Sequence, residues 1–151
     1  MKIALILLFP VLCFAMPSKQ EQLKYSVSGI IANATKPDVK AGMVVASPSK
    51  SDPNYYYDWV RDTSLTYSAL VDYYAIKKDP KILDMIKNWI GSETSRQNKW
   101  SLTGLGEPKY NIDGTSFDCP WGRPQNDGPA LRALAMIKFA RILLKDPTTI
   151  S

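Results

Sequence analysis

Histidine is absent from all 151 residues of this chain. That absence excludes Ser-His-Asp and Cys-His nucleophilic catalysis, and with them most zinc chemistry. Any catalysis must use carboxylates, lysine, tyrosine or a bound cofactor. Cysteine is nearly absent too, with Cys13 and Cys119 the only two. No internal repeat or low-complexity tract is visible, and no stretch carries four lysines in a row. The net charge of +5 is scattered over residues such as Lys19, Lys36, Lys40, Lys77, Lys78 and Lys99. A diffuse surplus of this kind favours solubility and is not the clustered footprint of a nucleic-acid binder. No apolar run is long enough to cross a bilayer comfortably.

What is present begins with an address. Lys2 supplies a positive start, Ile3–Phe14 is a short apolar stretch, and Ala15 suits a cleavage site before Met16-Pro17. The pattern predicts a signal peptide over residues 1–15, a mature domain over 16–151, and a secreted (or vacuolar) protein free of the membrane after cleavage. An uncleaved anchor is the alternative. Cleavage removes Cys13 and leaves Cys119 alone, which implies a missing partner, an intermolecular bond or a buried thiol. The triplet Asn33-Ala34-Thr35 is a glycosylation sequon and fits the secretory route. A chain of this length has room for one domain with a real core.

Apolar periodicity predicts four helices. Leu23, Val27, Ile30 and Ile31 recur at helical spacing from about Ser18 to Ala32, and Thr35-Lys36-Pro37 ends that segment. Met43-Val44-Val45-Ala46 is a short apolar run before the loop Ser47–Pro53. A second helix is expected from Asp62 or Thr63 to about Ile76, apolar over most of its circumference and therefore buried on several sides. From Pro80 to about Ser92, Ile82, Met85, Ile86, Trp89 and Ile90 form one stripe, opposite Lys81, Asp84, Lys87 and Asn88. A long polar loop is expected over 93–126. The last helix starts at Asp127 or Gly128, with Asp127 as its cap and Pro129 in its first turn, and Asp146-Pro147 ends it after Lys145. Amphipathic and all-round apolar helices thus alternate, as outer and inner helices of a ring would. Four helices cannot fully bury two of the inner kind, so the pattern predicts part of a larger ring.

Two polar and aromatic stretches lead into the two inner helices. In YYYDWVRD, at 55–62, four rings fall within five positions and an Arg–Asp pair follows. A buried aromatic knot beside a helix cap would explain this stretch. So would a sugar site, where rings cover the apolar face of a pyranose while Arg61 and Asp62 bond its hydroxyls. The second stretch, KYNIDGTSFDCPWGRPQNDGPALR, places Trp121, Arg123, Gln125, Asn126 and Asp127 just before the other inner helix. A loop packed on its own tryptophan is the plain reading there, but the repeated mixture strengthens the sugar reading.

PNYYYDWVRDTS, GLGEPKYNIDG and PWGRPQNDGPALRA, with GMVVASPS upstream, resemble the fungal glucoamylases of glycoside hydrolase family 15, in the family's order over about residues 20–145. The resemblance implies an all-α fold, a partial (α/α)6 barrel with its site at the loops leading into the inner helices. It implies exo-hydrolysis of terminal 1,4-linked α-glucose from starch or glycogen with inversion, no cofactor or metal, and a monomer. Tyr55 and Trp59 match aromatics lining the innermost glucose subsite, and Arg61 and Asp62 match the pair that holds the terminal glucose. Trp121 matches the tryptophan that supports the catalytic acid, while Arg123 and Gln125 are expected to shape the loop. Phe117 stands where many members have tyrosine, Cys119 and Pro120 replace small residues, and Asp58 replaces a commonly neutral one.

Inverting hydrolysis needs an acid and a base carboxyl roughly 6.5–9.5 Å apart. In the family these are glutamates beyond the matched stretch, expected past Ser151, so no catalytic residue is assigned here. Asp62, Glu107, Asp113 and Asp127 match structural or binding positions. The expectation is an N-terminal part of such an enzyme that is inactive alone. A non-catalytic secreted sugar-binding or regulatory paralogue is the alternative.

Overall fold

The computed structural model describes residues 16–123 and 125–146; the signal-peptide expectation for residues 1–15 lies outside them. Four helices dominate: α1 (Lys19–Ala34), α2 (Val60–Lys77), α3 (Pro80–Gln97) and α4 (Asp127–Lys145). Two short strands, β1 (Asp58–Trp59) and β2 (Lys109–Tyr110), pair antiparallel, with Asp58 opposite Tyr110 and Trp59 opposite Lys109. Both fall in stretches expected to be loop. Two residues are too few to show an alternation in sequence, and only the tertiary approach makes the ladder.

Local chemistry explains most helix limits. Ser18 accepts from the Glu21 N–H while the Glu21 carboxylate takes the Ser18 N–H at 2.8 Å, a capping box that starts α1. Asp79 accepts from the Lys81 N–H at 2.9 Å, and Pro80 occupies the first turn of α3. α2 ends where Lys78 turns left-handed, at φ 52°.

Three expectations need correction. α2 starts at Val60, so Asp62 lies inside its first turn and is not its cap; Trp59 holds that position without a side-chain bond. The Val60 N–H instead donates to the Pro108 carbonyl at 3.0 Å, so a loop remote in sequence does the capping. Asp127 is likewise inside α4, behind Asn126. α3 runs to Gln97, five residues past the expected end. Glu93 and Arg96, which read as loop polarity, are buried and pair with each other on one helical face.

The core lies between α2, α3 and α4, with α1 against one side. Tyr67 of α2 stacks on Trp89 of α3, centroids 4.9 Å apart and planes 5° apart, among Leu70, Val71, Tyr74, Ile82, Ile86, Ala135 and Phe139. Two glycines permit close approaches. A side chain on Gly42 (φ 87°) would meet the Asn88 carbonyl oxygen at 2.4 Å, and one on Gly128 would stand 3.1 Å from Val60. The second contact brings the N-termini of α2 and α4 together.

Four helices were expected to be too few to bury α2 and α4 fully, and both helices do leave apolar side chains exposed. Leu65 is 52% exposed, Leu134 62% and Ile137 56%. They line an open groove of about 760 Å³ with Leu131 and Ile142. No described element covers that side.

Candidate functional site

The short β1–β2 ladder and the paired N-termini of α2 and α4 bring the two polar-aromatic stretches to one end of the bundle. Trp59 and Trp121 meet edge to face, with centroids 5.2 Å apart, although 61 intervening residues separate them in sequence. Tyr55 lies 6.4 Å from Trp59, and Phe117 lies 6.3 Å from Trp121. Arg61 reaches across to α4. Its Nη1 donates to Gln125 Oε1 at 3.2 Å and to Asp127 Oδ2 at 3.4 Å, while Nη2 stands 3.5 Å from Asp62 Oδ2. All five expected substrate residues, Tyr55, Trp59, Arg61, Asp62 and Trp121, therefore share one end of the molecule.

Tyr55, Trp59, Arg61, Asp62 and Gln125, with Ala46 and Ser47, line a cavity of about 390 Å³. That is room for one hexose-sized molecule. Three buried polar atoms here have no hydrogen-bond partner: Trp59 Nε1, Trp121 Nε1 and Asp62 Oδ2. Buried polar groups are normally satisfied, and leaving one unpaired costs about 1–3 kcal/mol. The Trp59 N–H, open on a residue that lines the cavity, and the Asp62 oxygen, held only by its 3.5 Å ion pair with Arg61, are what a polyhydroxyl ligand would satisfy. The Arg61–Asp62 pair is itself more than a third exposed, and such pairs contribute only about 0–1 kcal/mol to folding. Stability does not explain its placement.

Lys109 was not singled out from sequence. It is buried, and its Nζ lies 3.6 Å from the Phe117 ring centroid, 4.2 Å from Trp121, 4.5 Å from Tyr57 and 5.3 Å from Trp59. Burial, then the nearby Arg123, push its pKa below the usual lysine value. One lysine amid scattered rings has no sequence period; its position opposite Trp59 in the ladder is the only clue, and that is tertiary.

The other carboxylates have structural partners. Glu107 accepts from Arg123 Nε at 3.3 Å and from the Thr103 hydroxyl at 2.9 Å. Arg123 also donates to the Phe117 carbonyl, which shapes the loop as expected. Asp113 accepts from the Thr115 N–H and hydroxyl, bonds that hold its pKa below the usual carboxylate value. Gln125, expected only to shape the loop, faces Arg61 in the cavity. Asn33 is half-buried at the end of α1, and its carbonyl accepts from the Val45 N–H at 3.2 Å. Cys119 is an exposed free thiol. Among the described residues no cluster of His, Cys, Asp and Glu could hold a metal, and no helix is long and apolar enough to cross a membrane.

The sequence profile described as Glycosyl hydrolases family 15 matches residues 20–150. The chain belongs to glycosyl hydrolase family 15. Within that family it is 44% identical over 115 residues to glucoamylase-1 of Arthroderma benhamiae, covering 72% of this chain and 19% of that protein. It is 42% identical to a probable glucoamylase of Schizosaccharomyces pombe, covering 72% of this chain and 25% of that one. The fold resembles the glucoamylase of Saccharomycopsis fibuligera with a TM-score of 0.76 at 32% identity, over 82% of this chain and 28% of that chain. It also resembles the family 15 glucoamylase of Hypocrea jecorina, with a TM-score of 0.73 at 34% identity over 84% and 24%. The described helices are thus part of the family's (α/α)6 fold, and the family chain spans about a fifth to a quarter of the relatives it matches.

Proposed function

We propose that this family 15 chain carries the glucose-holding end of a glucoamylase-type site, for exo-hydrolysis of terminal 1,4-linked α-glucose from starch or glycogen with inversion. The observation that carries this reading is a hexose-sized cavity lined by Tyr55, Trp59, Arg61, Asp62 and Gln125, in which the Trp59 indole N–H has no hydrogen-bond partner. Trp59 and Tyr55 cover the C–H face of the terminal glucose. Arg61 donates to its hydroxyls and Asp62 accepts from them, with Gln125 orienting the guanidinium. Trp121 offers its indole N–H to the catalytic acid. The acid and base glutamates are assigned to family positions outside the matched stretch, so the chain's own part is binding. Routing through the secretory pathway, from residues 1–15, and a glycan on Asn33 belong to the same proposal.

Titrating the 151-residue chain with maltose, followed by tryptophan fluorescence, tests it. Saturable quenching with Kd on the order of 1 mM is expected, and Asp62→Ala should raise Kd at least about tenfold, or ~1.4 kcal/mol. A linear, unsaturable response in the wild-type chain would overturn the pocket. Glucose release from maltose by the chain alone would overturn the assignment of acid and base to other residues.

A further inference from the structure

Four charged side chains lie in the interior behind the cavity, and the sugar-holding reading uses none of them. Asp58 and Glu93 are 0% exposed, Arg96 2% and Arg132 6%. Ions buried so deeply cost several kcal/mol each unless paired and hydrogen-bonded, and apolar packing of equal volume stabilises at least as well. What directed bonds add is a defined register.

The bonds form one continuous chain. Asp58 Oδ1 accepts from Arg96 Nη1 at 2.7 Å, and its Oδ2 accepts from the Val44 N–H at 2.8 Å and the Thr63 hydroxyl at 2.9 Å. The other terminal nitrogen of Arg96 pairs with Glu93 Oε1, which also accepts from Trp89 Nε1 at 3.2 Å. Glu93 Oε2 accepts from Arg132 Nη1 at 3.2 Å, and Arg132 Nη2 donates to the Leu105 carbonyl at 3.1 Å. The Arg96 guanidinium lies 4.7 Å from the Tyr110 ring. Segment 44–46, β1, the first turn of α2, α3, the turn at Leu105, β2 and α4 are therefore tied together. Asp58 directly precedes Trp59, and its ladder partner Tyr110 directly follows Lys109.

We propose that Asp58, acting through Arg96, is a positioning residue that holds Trp59, Arg61 and Asp62 in register with Lys109 and Trp121. The sugar-affinity part of this proposal rests on the glucose-pocket reading; the geometric part does not. The test compares Asp58→Asn with the double variant Asp58→Asn/Arg96→Met in the 151-residue chain. The single variant leaves a guanidinium partly unpaired and should lower the urea midpoint. The double variant restores charge balance, so its midpoint should return toward wild type while its maltose Kd stays at least tenfold raised. Affinity returning together with stability would mean the network is only structural and would overturn the proposal.

A second measurement needs no sugar. The contact between the Trp59 and Trp121 rings, read as an interproton NOE, should weaken in both variants; an unchanged NOE overturns the proposal. A wild-type chain that ignores maltose while its variants lose this NOE would sink the pocket and leave the positioning intact. Thr63→Val, which removes one bond to Asp58 and no charge, decides the matter if both Asp58 variants fail to fold. It too should weaken the NOE, and an unmoved contact there overturns the idea.

Discussion

Lys109 shows how far a single residue can depend on its surroundings. Its ammonium has no carboxylate ion pair among the described residues and sits among four aromatic faces, each favourable by roughly 0.5–2 kcal/mol. Burial opposes the charge, so the folded-state pKa lies below the ordinary value of 10.5. Between those two values the unfolded chain binds more protons than the folded one, and stability rises with pH across that window. The gain is absent below the folded pKa and complete above the unfolded one. Urea denaturation from pH 7 to pH 11 should therefore show wild type gaining on Lys109→Met at the alkaline end. A constant difference would mean the lysine is as solvated folded as unfolded. Arg61 and Asp62 are the opposite case, because their adjacency to each other and to the rings is written in the sequence, and so the sugar role proposed for them could be raised there.

At the scale of elements, legibility follows the range of the forces involved. The α4 limits Asp127–Lys145 can be read from sequence because Pro129 opens the helix and Asp146-Pro147 closes it. The α2 start and the α3 end cannot, since the first depends on the Pro108 carbonyl and the second on a buried Glu93–Arg96–Arg132 network. The approach of segment 40–45 to α3 depends on Gly42, whose φ of 87° and 2.4 Å clearance from the Asn88 oxygen leave no room for a methyl group. Gly42→Ala should destabilise the chain by about 2 kcal/mol or more, combining left-handed strain with a backbone clash. Gly91→Ala, on α3 with open space around it, is the control and should be neutral or stabilising. Equal urea midpoints for the two variants would contradict the close approach.

At the scale of the whole molecule, one apolar side of α2 and α4 is uncovered by any described residue. Leu65, Leu134, Ile137 and Leu144 face solvent from helices whose sequence is apolar nearly all round. An exposed apolar groove of this size is unusual for a protein that functions as an isolated monomer. The 151-residue chain is therefore expected to bind ANS and to melt gradually, without a sharp cooperative transition in calorimetry. A single sharp endotherm without dye binding would show that the three-helix core is sufficient alone.

The sequence alone determined the helix alternation, the family resemblance and the polar-aromatic residues proposed to face a sugar. Each of these rests on short-range periodicity, or on motifs whose members are neighbours in the chain. Only the tertiary structure decided that Trp59 meets Trp121, that Lys109 sits within their cluster, and that Asp58 is spent on Arg96 rather than on the pocket. Such pairings join residues dozens of positions apart, and the free energy that selects them comes from burial and directed bonds that exist only once the chain has closed on itself.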